Sequence, residues 1–178
     1  MSSLVVTTWY LEMNARPASR PLAASEGVRL EHAPAPPLHF YRYLYETVGA
    51  PWLWGDRRRL SDEELASHVH DAHVEVWVAT RAGVPVGYFE LDRRMDGDCE
   101  LAYFGLFPDA IGQGLGRWLL DAAIAQAWSD GATSRVWVHT CSLDHPRALA
   151  PYARAGFVRY AETEAEVWDP RPLPISPR

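Results

Sequence analysis

The chain reads as an α/β protein, a mixed sheet flanked by helices. Three observations carry that reading. Segments rich in Val, Thr, Trp, Tyr and Phe with period-two alternation are interleaved with segments whose apolar residues recur at helical spacing. A glycine-dense stretch at 112–116 joins a strand pattern directly to a helix pattern. With 178 residues, 48% of them hydrophobic, the chain is long and apolar enough to bury a sizeable core as one domain.

Leu4 to Met13 has strong β propensity and reads as the first strand, followed by a loop rich in Pro, Ala and Ser to about Glu26. Gly27 to Glu31 reads as a short strand, and Pro37 to Val48 as a helix with proline in its first turn. The next loop, Gly49 to Asp56, carries Trp52 and Trp54. Ser61 and Glu64 have capping-box spacing and start a helix that runs to about Asp71. Val74 to Arg81 and Val84 to Arg93 alternate as a hairpin about Ala82-Gly83, and Cys99 to Phe107 follows as a strand. Gly114 to Ser129 reads as a helix, with Leu115, Trp118, Leu119 and Ala122 on one side. A strand at Arg135 to Thr140 and a helix from Pro146 to Ala155 close the core, with Gly156 as helix cap. The domain extends over 1–168, and 169–178 read as a proline-rich tail.

The stretch FGLFPDAIGQGLGR, residues 104–117, has the makings of a phosphate cradle. Glycines let the main chain approach a ligand, and the first turn of a helix presents unpaired N–H groups at the positive end of its dipole. A Walker loop is excluded, because no Lys-Ser/Thr pair follows the glycines. A dinucleotide fingerprint is excluded as well, since counting on from Gly114 puts Leu119 where the third glycine belongs.

Ile111-Gly112-Gln113-Gly114-Leu115-Gly116 resembles the acetyl-CoA loop of the GNAT superfamily of N-acetyltransferases, Gln/Arg-x-x-Gly-x-Gly/Ala, with Ile111 departing at the first position. A second segment, residues 135–158, resembles the family's fifth strand and the helix after it, in register at Ala148, Tyr152, Gly156 and Phe157. There His145 replaces the usual Asn, and Pro151 an aliphatic residue. The resemblance covers about 74–160. It implies a GNAT-like fold, a mostly antiparallel sheet whose fourth and fifth strands splay apart, and it implies acetyl-CoA as co-substrate.

The resemblance also implies roles. Tyr152 would protonate the departing CoA thiolate, and Glu100 matches a fourth-strand Glu that accepts the amine's proton in some members. Glu90, on the preceding strand, is the other carboxylate for that task, and either one could hold a cationic acceptor instead. The pantetheine arm would lie along Phe104, Gly105 and Leu106, with Gly105 easing a bulge that frees the Leu106 amide for the thioester oxygen. The pyrophosphate would meet Ile111, Gly112, Gln113, Gly114, Leu115, Gly116 and Arg117, with His145 near the pantetheine. Trp52 and Trp54 would wall the acceptor site, together with Glu90. The acceptor implied is the primary amine of a small molecule or amino-acid-like metabolite, a protein lysine or N-terminal amine being the alternative. A catalytically idle acyl-CoA sensor is the reading from a different class. Homodimers are common in the family.

A net charge of −6 argues against nucleic acid as partner. No segment is apolar enough to span a membrane, and the N-terminal residues lack a signal peptide's features, so the chain reads as cytoplasmic, with Cys99 and Cys141 as reduced thiols. His68, His70 and His73 do not make a metal site: Asp71 sits one place early for a metallo-β-lactamase motif, and only His70 and His73 share a helix face. No metal is expected.

Overall fold

A computed structural model describes residues 3–18 and 27–171, and among these seven strands form one sheet. The strands are β1 (Ser3–Met13), β2 (Val28–His32), β3 (Val74–Arg81), β4 (Val84–Asp92), β5 (Asp98–Leu106), β6 (Arg135–Cys141) and β7 (Val158–Trp168). Their order across the sheet is β2-β3-β4-β5-β6-β1-β7. Every pairing is antiparallel except β5 with β6. Helices α1 (Leu38–Gly49) and α2 (Asp62–Val69) cover one face, and α3 (Leu115–Ala127) and α4 (Leu149–Ala155) the other.

Alternation along the strands feeds both layers. On β4, Tyr88 packs with Tyr41, Leu44 and Tyr45 of α1, while Phe89 and Leu91 point to the opposite face and pack with Leu119, Leu120 and Ala123 of α3. The β3–β4 hairpin turns at Ala82 and Gly83, whose φ values of 50° and 80° are the pair a tight two-residue hairpin demands. The capping box is formed: the Glu64 amide donates to Ser61 Oγ and the Ser61 amide to the Glu64 carboxylate.

Two elements differ from the sequence expectation. Helix α4 begins at Leu149 rather than Pro146. Pro151 has no N–H and its ring blocks the carbonyl of Arg147, so it fits only the first turn. Strand β7 is absent from the sequence reading, although Ser3 to Glu12 of β1 pair with Trp168 to Val158 along its length. Most of its residues are exposed, among them Glu162, Glu164 and Glu166, so no apolar face announces it. Asp169 and Pro170, read from sequence as the start of the tail, are buried, and 172–178 lie outside the described residues.

The feature that positions the site is the failure of β5 and β6 to stay together. They pair only at Asp98–Arg135, Cys99–Val136 and Glu100–Trp137, and beyond this the sheet splits. A bulge on β5 accompanies the split: Leu101 pairs with Leu91 and Tyr103 with Glu90, leaving Ala102 as the extra residue. The bulge therefore falls at Ala102 and not at Gly105. Gly105 serves a different need, because a Cβ there would lie 2.3 Å from Val48 Cγ1 of α1.

A candidate active site in the split of the sheet

A cleft of about 1040 Å³ occupies the split and is lined from both layers of the fold. Phe104, Gly105 and Leu106 form one wall and Val138, His139 and Cys141 the other. Its lining runs from Ile111, Gly116 and Tyr152 at the α3 and α4 end, here the α3 mouth, to Trp52 and Trp54 in the loop after α1, here the α1 mouth.

At the α3 mouth, a 3-10 turn at Pro108–Ala110 brings β5 to the glycine stretch. Gly112 and Gly114 take φ values of 82° and 78°, which turns the chain sharply into α3. Helix α3 has no side-chain cap, and the amides of Gly112 to Arg117 have no hydrogen-bond partner among the described residues. Gln113 fastens the turn: its Nε2 donates to the Asp109 carbonyl (2.6 Å), and its Oε1 accepts from Arg81 Nη1 (2.6 Å). Ile111 lines the cleft and is 53% exposed, while Leu115 points into the core. Arg117 is exposed, 3.8 Å from Asp121.

Tyr152 of α4 reaches the cleft between the rings of Phe104 and Phe157. Burial, and then the charge of Asp144, push its phenol above the ordinary range, so it keeps its proton at neutral pH. Its hydroxyl has no hydrogen-bond partner among the described residues.

In the middle of the cleft, His139 stands on β6 with its Nδ1 3.2 Å from Glu100 Oε1. Glu100 itself does not line the cleft; His139 does. Cys141 also lines it, and burial pushes its thiol up, away from the nucleophilic thiolate. Asp144, in the loop after β6, accepts from Thr140 Oγ1 (2.7 Å), the Cys141 amide (2.9 Å) and Trp54 Nε1 (3.2 Å).

The α1 mouth is made of rings. Trp54, Tyr45 and Tyr103 form a cluster with centroids 5.0 to 5.4 Å apart, and Trp52 sets its ring edge-on to His145 at 5.3 Å. Trp168 and Pro170 close the wall behind Gly55, and Arg59 lies 5.4 Å from the Trp168 ring. Beneath the cluster, Arg57 Nη2 donates to Glu90 Oε1 (2.7 Å), Tyr41 donates to the other Glu90 oxygen, and Arg57 stacks over Tyr103 at 5.2 Å.

Of the residues singled out in the sequence, Phe104, Gly105, Leu106, Ile111, Gly116, His145, Tyr152, Trp52 and Trp54 line one cleft, with the turn Gly112 to Gly114 beside its mouth. Glu90 does not: it is wholly buried, off the cleft lining, with its carboxylate taken by Arg57 and Tyr41. His139, Asp144, Arg59 and Trp168 line the cleft unannounced. Alternation in RVWVHTC does place His139 on the face of Trp137 and Cys141, but nothing local to it tells that Glu100 stands opposite. Among the described residues no group of three or more His, Cys, Asp or Glu could hold a metal ion, and no helix is long and apolar enough to cross a membrane. Cys99 and Cys141 are free thiols.

Solved structures share this architecture. A GCN5-related N-acetyltransferase from Sphaerobacter thermophilus superposes with a TM-score of 0.70 at 17% identity, covering 91% of this chain and 51% of its own. An aminoglycoside acetyltransferase from an uncultured soil metagenomic sample gives 0.59 at 17% identity, covering 74% and 89%. The spermidine/spermine N-acetyltransferase SpeG of Vibrio cholerae gives 0.56 at 19%, covering 74% and 80%. The chain spans only 63% of a functionally unknown Staphylococcus epidermidis protein that it also resembles, at a TM-score of 0.63 and 16% identity over 94% of this chain. A family profile described as Acetyltransferase (GNAT) family matches residues 40–157. With that match over most of its length, and the split sheet and glycine turn in place, the chain belongs to the GNAT acetyltransferase family.

Proposed function

We propose that the chain transfers the acetyl group of acetyl-CoA to the primary amine of a small, amino-acid-like molecule, with both substrates bound at once. The observation that carries this is the cleft itself. It joins a mouth of unpartnered amides to a mouth of aromatic side chains through the split between β5 and β6. A thioester and an amine entering from opposite sides meet inside it, and no relay residue is needed.

The residues fit a CoA ester as donor. Amides from Gly112 to Arg117 offer hydrogen bonds and the positive end of α3 to a pyrophosphate. Past Glu100, the edge of β5 turned toward β6 has no strand partner, so its main-chain groups can bind the amides of a pantetheine arm as an added strand would. When bound, acetyl-CoA supplies an activated carbonyl and a thiolate leaving group. In this reading the Leu106 amide polarises that carbonyl and the Tyr152 phenol gives its proton to the thiolate, roles supported by both residues lining the cleft and by the raised phenol. The raised Cys141 thiol supports direct transfer rather than an acetylated enzyme.

On the acceptor side, Trp52, Trp54, Tyr45 and Tyr103 can hold an apolar body or face an ammonium group. That two structural neighbours are named for aminoglycosides and polyamines supports an amine acceptor as a class. A reducing, cytoplasmic setting is part of the proposal and agrees with the two free thiols. The test is CoA release from acetyl-CoA across a panel of amines. Release with at least one amine, matched by its acetylated product, is expected. Binding of acetyl-CoA with no release for any amine would leave a CoA-binding module and overturn the proposal.

A further inference from the structure

We propose that His139 accepts the amine's proton and that Glu100 positions it, so that the base of this site is a carboxylate–imidazole pair rather than a lone carboxylate. The inference rests on the acetyl-transfer reading and assigns the proton acceptor within it.

Position comes first. Glu100 and Trp137 form the last pair between β5 and β6, and His139 is the next residue of β6 on the face of Trp137. Its ring therefore stands where the strands part. The His139 side chain is 43% exposed and lines the cleft, whereas Glu100 is 21% exposed and sits behind it. A base must reach the substrate, and of this pair the imidazole is the member on the cleft lining.

Chemistry follows from the contact. His139 Nδ1 lies 3.2 Å from Glu100 Oε1, and we assign the ring proton to that nitrogen, facing the carboxylate, which leaves the lone pair on Nε2. Tyr10 and Trp137 flank the imidazole, each with its ring centroid 6.1 Å away, which restrains its orientation. The ionisable groups facing His139 are Glu100 from β5, Asp144 from the loop after β6, Asp56 from the loop after α1, and Tyr10 from β1. The hydrogen bond to Glu100 and then the charges of these carboxylates raise the imidazole above its usual value, against the opposing effect of burial.

The step balances. An arriving ammonium gives one proton to Nε2. The freed lone pair forms the C–N bond, the C–S bond breaks with its electrons on sulfur, and sulfur takes the Tyr152 proton. The second proton lost from nitrogen restores the phenol through solvent, and the imidazolium discharges to solvent. The sum is the single proton that acetylation of an ammonium must release.

The experiment has two parts. The first is kcat/KM against pH for wild type, His139→Gln and Glu100→Gln. It uses acetyl-CoA with whichever of phenethylamine, L-phenylalanine, spermidine and kanamycin releases CoA fastest. The second follows the His139 ring proton by NMR across pH without substrates. Wild type should gain rate as pH rises through a His139 pKa above the ordinary value of about 6.5. Glu100→Gln should keep that limb but move it to lower pH, because the imidazole loses the partner that raised it. His139→Gln should lose the limb, fall about 10²-fold near neutrality, and climb only toward the amine's own pKa of about 10.4. By NMR, Glu100→Gln should lower the His139 titration.

A His139→Gln profile with the wild-type limb overturns the pair and leaves the transferase standing. Loss of the limb in Glu100→Gln, with only a shift in His139→Gln, overturns it in favour of Glu100 as direct base. A His139 titration unmoved by Glu100→Gln overturns the pair without reference to any acceptor. Wild type that releases no CoA with any amine overturns the transferase reading and this role together. His139 is on the surface of the cleft, and a wild-type melting temperature for both variants will show that folding is not the variable.

Discussion

At the α3 mouth of the cleft the groups offered to a ligand are main-chain amides, Gly112 to Arg117, carried by one continuous stretch. At the α1 mouth they are side chains, held by partners distant in sequence: Trp54 by Asp144 and Arg59 against Trp168, with the Arg57–Glu90 pair beneath them. Amides do not depend on which side chain sits above them, so the proposed CoA site tolerates Ile111 at the position where the acetyl-CoA loop pattern has Gln or Arg. Rings do depend on their supports. Gly49 shows how closely: a Cβ there would lie 2.4 Å from the Trp54 ring. The donor mouth is thus generic and local, the acceptor mouth specific and assembled.

The strongest way to break this contrast is to remove a support of the acceptor mouth. Glu90→Ala leaves the Arg57 guanidinium buried without its partner, and urea unfolding should show a loss of about 3–5 kcal/mol. The fraction that remains folded should bind acetyl-CoA within about threefold of wild type, since Glu90 touches nothing at the donor mouth. A matching loss of acetyl-CoA affinity would mean that the two mouths are not separate structures.

Next in size is Tyr152→Phe, which removes the proton donor and leaves the packing against Phe104 and Phe157. Turnover should fall about 10²-fold, with acetyl-CoA affinity nearly unchanged by calorimetry. Unaltered turnover would make Tyr152 a packing residue. Gly114→Val tests the amide turn, because a β-branched residue at φ 78° is strained by about 1–2 kcal/mol. Acetyl-CoA should bind about tenfold more weakly, while ring fluorescence from Trp52 and Trp54 stays as in wild type. The smallest effect is expected from Ile111→Arg. A guanidinium added at an exposed position should tighten acetyl-CoA by about two- to fivefold, the scale of a solvent-screened ion pair. A larger gain would show that the amides alone do little.

The same contrast explains what was legible in the sequence. The donor mouth could be read because its glycines, and the register Ala148, Tyr152, Gly156 and Phe157, are short-range patterns with short-range causes. The hairpin at Ala82-Gly83 and the capping box at Ser61 were legible for the same reason. At the α1 mouth Trp52 and Trp54 were read but their supports were not, since Arg57 and Glu90 are 33 residues apart and Trp54 and Asp144 are 90. Glu90 was placed on the right strand, but period-two alternation cannot tell a carboxylate facing substrate from one facing a buried guanidinium. The Glu100–His139 contact needed the parallel register of β5 on β6, and the demand for a glycine at 105 came from Val48 of α1, not from the bulge, which falls at Ala102. Strand β7 escaped because an edge strand exposed on both faces carries no apolar signature.

The proposed function requires that both substrates be bound when the acetyl group moves. Initial rates with acetyl-CoA varied at several fixed concentrations of the best amine test that directly. Double-reciprocal lines that intersect, with no acetyl group on the enzyme by mass spectrometry in the absence of amine, are the expected result. Parallel lines, with an acetylated enzyme that passes its group to a later amine, would contradict it.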